Sequence, residues 1–222
     1  MRTADPRRLW LFPLAAILTA LPWVVIFPLR HGFEGKQEQA VLLASASYRA
    51  AGYLYFAGFI CLLLAIITLV AMAEVKRPSA WAVAALVLDV GAVAMICAVE
   101  AGVLSLAGPT VASYYLSGHQ DVGALLVQLS GDSFDANTNT WLLVAIGVAV
   151  IGAVATGVCT WRAGIGRWSG VLLAAGFALV LDITPRVSWV GSALLLGAGA
   201  WMAWRTDSSE VAAVKRTGVA SL

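Results

Sequence analysis

The strongest constraint on the fold is a series of long apolar segments separated by short polar turns. A membrane-spanning helix needs about 20 mostly apolar residues. Hydrophobic residues make up 61% of the chain and charged residues only 12%, whereas a typical soluble domain carries about 25% charged residues. The sequence therefore predicts an all-α, polytopic transmembrane bundle that forms a single domain over residues 1–205. Its six predicted spans are residues 9–27, 52–73, 80–107, 141–161, 168–183 and 188–204.

Two features near the C-terminus complicate this assignment. The last two apolar segments are the shortest, and the turn between them is tight, so four or five spans plus a re-entrant pair are the alternative. Residues 206–222 are polar and rich in small side chains. They are predicted to form a disordered cytoplasmic tail, as is common for chain termini.

The distribution of Lys and Arg predicts the orientation of the bundle. With the N-terminus in the cytoplasm, ten of the 14 Lys and Arg residues lie in cytoplasmic segments, as the positive-inside rule requires. An even number of spans then places both termini in the cytoplasm. Eleven Arg against three Lys, together with abundant Ala, Gly and Val, is typical of a GC-rich bacterial genome. We therefore expect a multi-pass protein of the bacterial inner (plasma) membrane.

A long connection between the third and fourth spans, residues 108–140, is predicted to be exterior. Within it, Val122, Leu125, Leu126 and Leu129 recur with the spacing of one helix face. Just ahead, Ser117 and Gln120 have the spacing of a capping box. The pattern predicts a short amphipathic exterior helix, which either covers helix ends as a lid or gates an outer pocket.

Two acidic residues, Asp89 and Glu100, interrupt the third apolar segment. Eleven residues separate them, which is about 20° more than three full helical turns. Both acids, with Val93 and Ile96 between them, therefore share one helix face. Because ionisable residues inside a membrane almost always face the bundle interior, this face is predicted to point inward.

The two acids have different predicted neighbours. Glu100 lies towards the exterior, and a candidate polar pocket there comprises Glu100, Tyr53, Tyr55, Asp182 and Arg186. Asp89 lies towards the cytoplasm, where the expected partners are the hydroxyl groups of Thr68 and Thr156. A carboxyl with only such partners is expected to be neutral, so Asp89 is predicted to be either a buried proton site or an acid that serves packing.

Signatures of catalysis and of cofactor binding are scarce. The sequence contains neither HExxH nor GxSxG. The two histidines, His31 and His119, lie in separate exterior connections, so no span offers a histidine ligand for haem. No catalytic residue, metal site or cofactor is predicted. The net charge of +2 gives no electrostatic basis for nucleic-acid binding.

The layout of the chain resembles that of small six-span bacterial membrane proteins of unknown function. The shared features are six helices, short basic inner turns, an acid in the third span (Glu100) and a longer exterior connection before the fourth. The layout is also similar to the substrate-binding subunits of energy-coupling-factor vitamin transporters, whose small-residue motif in the first span resembles Ala16-x-x-x-Ala20.

Three functions remain open from the sequence. No inverted repeat is evident, although many transporters contain one. This favours a non-catalytic bundle that acts as a partner or sensor subunit beside other membrane subunits in the lipid bilayer. The alternative is a small-solute carrier or substrate-binding transporter subunit that holds a small-molecule ligand in an exterior-facing pocket near Glu100. A second alternative is an intramembrane enzyme.

Overall fold

The computed structural model describes residues 6–22, 35–100, 107–125, 136–165, 167–180 and 185–219. Within these ranges the chain is helical apart from short turns. A 3₁₀ turn, Pro6–Trp10, leads into the first α-helix. The α-helices are α1 (Leu11–Ala20), α2 (Lys36–Ala44), α3 (Ala46–Lys76), α4 (Ala80–Glu100), α5 (Gly108–Leu116), α6 (Ala136–Arg162), α7 (Arg167–Val180) and α8 (Pro185–Val219).

Six of the described helices pack as a closed ring. Helix α1 packs on α3, α3 on α4, α4 on α6, α6 on α7, α7 on α8, and α8 returns to α1. Helices α3 and α6 also meet across the bundle. One continuous hydrophobic core, to which all six helices contribute, fills the interior. The ring follows chain order: each ring helix packs against the ring helix before it and the one after it in the sequence, and α8 closes the ring on α1.

Many large apolar side chains lie on the outside of the bundle, while small ones are buried on the inner faces of α4 and α6. On α4, Ala85 and Ala92 are fully buried, whereas Val83 and Val87 are 61% and 64% exposed. The same division recurs on α6, where Ala149 is buried and Ile151 is exposed. Contiguous apolar patches of this size are rare on soluble monomers. Small residues at the helix contacts and a large apolar surface suit helices that pack closely in lipid.

Three of the described helical segments are long and apolar enough to cross a membrane: Ala46–Lys76, Ala80–Cys97 and Leu143–Arg162. Trp168–Val180 is apolar but shorter. These helices indicate an all-helical membrane protein, which confirms the coarse fold class predicted from the sequence.

Several helix boundaries differ from the predicted spans. Helix α3 begins at Ala46, because the Ser45 hydroxyl accepts the backbone N–H of Tyr48 and caps the helix before the apolar run starts. Helix α4 is described to Glu100, and a new helix begins at Gly108. Helix α8 continues to Val219, so it enters the segment for which the sequence predicts a disordered tail. That segment contains good helix formers such as Glu210 and Lys215.

A second, smaller cluster lies outside the main core. Helices α2 and α5 pack against each other, α2 also packs against α3, and all three helices contribute residues to the cluster. Their shared buried residues are Ala40, Leu43, Tyr48, Ala51 and Ala112. The predicted amphipathic helix is described only in part: Gln120–Val122 forms a 3₁₀ turn, and residues 126–135 lie outside the described part of the chain. Ser117 bonds the Tyr114 carbonyl and lies 3.2 Å from His119 Nδ1, in the turn that follows α5.

Candidate functional site

The candidate site lies in the contact between α4 and α6, where the structure buries a carboxyl group. Asp89 has no exposed surface. Val93 and Ile96, one and two turns further along α4, are 2% exposed each. These positions match the inward face that the spacing of the acids predicts. The side chain of Glu100, the fourth member of that face, lies outside the described part of the chain.

Thr156 on α6 supplies the hydrogen-bond donor to this carboxyl. Its hydroxyl Oγ1 donates to Asp89 Oδ2, and the two oxygens are 2.5 Å apart. Thr156 is itself buried, with 3% of its surface exposed. The other predicted partner, Thr68, donates instead to the Leu64 carbonyl in its own helix. Of the two threonines, Thr156 is therefore the one whose hydroxyl is hydrogen-bonded to Asp89.

Gly152, one helical turn before Thr156, provides the space that the carboxyl occupies. A Cβ atom at Gly152 would overlap Asp89 Oδ1 and would lie 3.1 Å from the Asp89 backbone nitrogen. Glycine therefore allows the backbones of α4 and α6 to approach closely at this point. Among the described groups, Oδ1 has no hydrogen-bond partner. Thus Oδ2 accepts a hydrogen bond from Thr156, and Oδ1 packs against Gly152.

Further polar groups on α6 extend from Thr156 towards the helix end. Thr160 Oγ1 donates to the Thr156 carbonyl at 2.8 Å, and Cys159 Sγ donates to the same oxygen at 3.3 Å. A Cβ at Gly170 of α7 would lie 2.5 Å from Thr160 Oγ1. This part of the bundle therefore binds α6 to its neighbours on both sides through small and hydroxyl-bearing residues.

The described groups around Asp89 form a contact between α4 and α6. Side-chain hydrogen bonds between helices contribute modestly to the stability of membrane bundles, about 0.6 kcal/mol on average. No water-sized space touches the Asp89 side chain, because none of its surface is exposed. Among the described residues, no group of three His, Cys, Asp or Glu side chains lies close enough together to hold a metal ion.

The predicted exterior pocket is only partly within the described structure. Tyr53 is 60% exposed on the outside of α3, whereas Tyr55 is buried and packs edge-on against Phe59 with ring centroids 4.7 Å apart. The two tyrosines therefore point to different sides of one helix. Asp182 and the side chain of Arg186 lie outside the described residues, as does the side chain of Glu100. A pocket formed by these five residues stays a prediction.

A second polar contact, between α1 and α8, was not evident from the sequence. Thr19 and Ser192 are both buried, and their hydroxyl oxygens are 3.5 Å apart. Thr19 Oγ1 also donates to the Ala15 carbonyl at 2.8 Å. Periodicity within one helix cannot reveal such a pair, because it does not say which helices are neighbours.

Comparison with known proteins gives no relative from which a function could be inferred. No protein-family model, curated protein or solved structure matches this chain.

Proposed function

We propose that the protein is a six-span integral membrane protein of the bacterial inner membrane that acts as a non-catalytic partner or sensor subunit. In this role the bundle is a scaffold, and its intramembrane acid holds helices together. The small-solute carrier and the intramembrane enzyme are the functions that this proposal sets aside.

The observation that carries the proposal is the enclosure of Asp89. A carboxyl that relays protons or binds a substrate needs access to water or to that substrate. Asp89 is fully buried between α4 and α6, with Thr156 on one oxygen and Gly152 against the other. This enclosure supports the packing role for Asp89, the structural alternative that the sequence left open.

The contact between two basic turns supports the proposed topology. Arg77, just after α3, lies with Nη1 3.5 Å from the carbonyl oxygen of Arg162, at the end of α6. The α3–α4 and α6–α7 connections therefore lie at the same end of the bundle. Both connections are basic and short, as cytoplasmic turns are. This is the arrangement expected if the six ring helices alternate in direction across the membrane.

Proton transport provides the first test. The purified protein is reconstituted into liposomes that contain a pH-sensitive dye, and a pH gradient is applied across the membrane. We expect the wild type, Asp89→Asn and protein-free liposomes to show the same proton leak. A flux that the wild type catalyses and Asp89→Asn abolishes would overturn the proposal in favour of a proton-coupled carrier.

The partner role has its own test. The tagged chain is produced at its natural level in its source cells, crosslinked within the membrane before detergent is added, and purified. We expect a defined protein in constant ratio to the chain. Recovery of the chain alone, from cells in which it is stably produced, would contradict a partner subunit.

Accessibility of single cysteines introduced at Arg77 and Arg162 tests the topology, since both should react only from the cytoplasmic side.

A further inference from the structure

An apolar groove runs along the outer surface between α6 and α7. Its floor is formed by small residues of both helices, Ala153 and Gly157 on α6 and Ala174 and Ala178 on α7. The groove has a volume of about 620 Å³, which lies within the range of about 300–1,000 Å³ typical of small-molecule sites. It exists because small side chains leave space between two adjacent helices that are otherwise in contact.

The groove has the length and polarity of a site for an acyl chain. Its lining on α6 extends from Val150 to Arg162, which corresponds to about 18 Å along the helix axis. Almost all of the lining is apolar. Val154 on the rim is 57% exposed, so the groove opens directly to the surroundings of the bundle. In a membrane those surroundings are lipid.

One end of the groove is basic and aromatic. Trp161 and Arg162 line this end, and the Trp168 ring contacts the Trp161 ring edge-on at a centroid distance of 5.1 Å. The Arg77 guanidinium lies beside the Arg162 carbonyl and brings a second positive charge to the same corner. Both arginines are exposed. Glu74, near the end of α3, accepts the backbone N–H of Ser79.

The apolar groove matches an acyl chain, and its basic, aromatic end matches an anionic headgroup, so together they match a phospholipid. Tryptophan side chains prefer the level of the lipid headgroups, and basic pockets between transmembrane helices bind anionic headgroups. We propose that the groove between α6 and α7 binds an anionic phospholipid, with one acyl chain along Ala153, Gly157, Ala174 and Ala178 and the phosphate beside Arg162 and Arg77. This site does not depend on the partner role proposed above.

The proposed site is tested by measuring which lipids remain bound to the protein. The protein is placed in nanodiscs that contain equal amounts of phosphatidylglycerol and phosphatidylcholine, then released, and the bound lipids are counted by native mass spectrometry. We expect one retained phosphatidylglycerol in preference to phosphatidylcholine. Because each basic residue near an anionic lipid contributes about 1 kcal/mol, the double variant Arg77→Gln/Arg162→Gln should lower the preference about tenfold or more.

Matched variants distinguish the effect of the arginine charges on lipid binding from the effect of the free space in the groove. Arg205→Gln removes an exposed basic residue on α8 and should leave the preference unchanged. Ala178→Phe fills the groove and should reduce retention of both lipids, whereas Val83→Phe enlarges an exposed residue on α4 and should not. Thermal unfolding in detergent confirms that each variant is folded. If Ala178→Phe does not fold, the comparison of the wild type with the folded Arg77→Gln/Arg162→Gln variant tests the proposal by itself.

Two results would overturn the proposal. One is equal retention of phosphatidylglycerol by the wild type and by the folded double arginine variant. The other is photo-crosslinking from position 154, in source-cell membranes, that labels a protein and no lipid, because the groove would then hold a partner helix.

Discussion

Gly152 faces the Asp89 carboxyl, and only glycine fits at position 152, since a Cβ there would overlap Asp89 Oδ1. The carboxyl cannot easily turn away, because its other oxygen accepts the Thr156 hydroxyl hydrogen. The contact between α4 and α6 therefore depends on a missing side chain as much as on a hydrogen bond.

Substitution Gly152→Ala should destabilise the bundle. Overpacking a close contact typically costs about 1–3 kcal/mol, and here the obstructing atoms include the backbone of α4. Gly147→Ala, on the same helix with nothing within 4 Å of the added Cβ, is the matched control and should be neutral or slightly stabilising. Thermal unfolding in one detergent compares the two. Equal losses of stability would show that Gly152 has no special role.

The hydrogen bond between Thr156 and Asp89 should appear as a coupling energy. A double-mutant cycle with Asp89→Leu and Thr156→Val is expected to give about 0.6 kcal/mol, the average measured for such bonds, and no more than about 1.7 kcal/mol, the largest value measured. Thr68→Val is the control, because Thr68 bonds within its own helix and should not couple to Asp89. A coupling energy of zero between Asp89 and Thr156 would show that this hydrogen bond does not stabilise the contact between α4 and α6.

The Asp89 side chain should be a neutral carboxylic acid at pH 7. Its hydrogen-bond donor is a hydroxyl and its close neighbour Gly152 is uncharged, and an isolated charge at such a site would be costly. Infrared difference spectroscopy of the wild type against Asp89→Asn should show the loss of a protonated carbonyl stretch. Loss of carboxylate bands instead would mean that the buried group is ionised.

Gly191→Ala should be one of the most damaging alanine substitutions in α8. A Cβ at Gly191 would meet the backbone of α7 at Val180 and Leu179. Backbone atoms move less readily than side chains, so the cost should reach or exceed about 3 kcal/mol. Gly197→Ala, on the same helix and open to its surroundings, should leave the unfolding temperature almost unchanged. If Gly191→Ala is also silent, the close approach of α7 and α8 is incorrect.

Much of the architecture could be predicted from apolar segments alone, because the length of a bilayer sets the length of a helix. Helices α3, α4 and α6 contain the second, third and fourth predicted spans for as far as they are described. Helix α5 was missed. Its signal was present in Gly108 and Pro109, since proline in the first turn is typical of a helix start.

The candidate site was predictable in part. Helical geometry placed Asp89 on an inward face, and depth suggested Thr156 as a partner. Gly152 could not be identified, because the recurring small residues of α6 include Ala149 and Ala153 on either side of it. Which of several small residues faces a given side chain depends on the rotation of two helices about their axes, and one sequence does not encode that in any local pattern.

The closed ring of helices has a consequence for biogenesis. Because each helix packs on its predecessor, α1, α3, α4, α6 and α7 can assemble in the order in which the ribosome releases them. The contacts of Thr19 with Ser192 and of Phe12 with Gly199 must wait for α8, which follows the other five ring helices in the chain. Until then the side of α1 that α8 covers lacks this neighbour, so a nascent chain that stops before Pro185 would present that side to the insertion machinery and its chaperones.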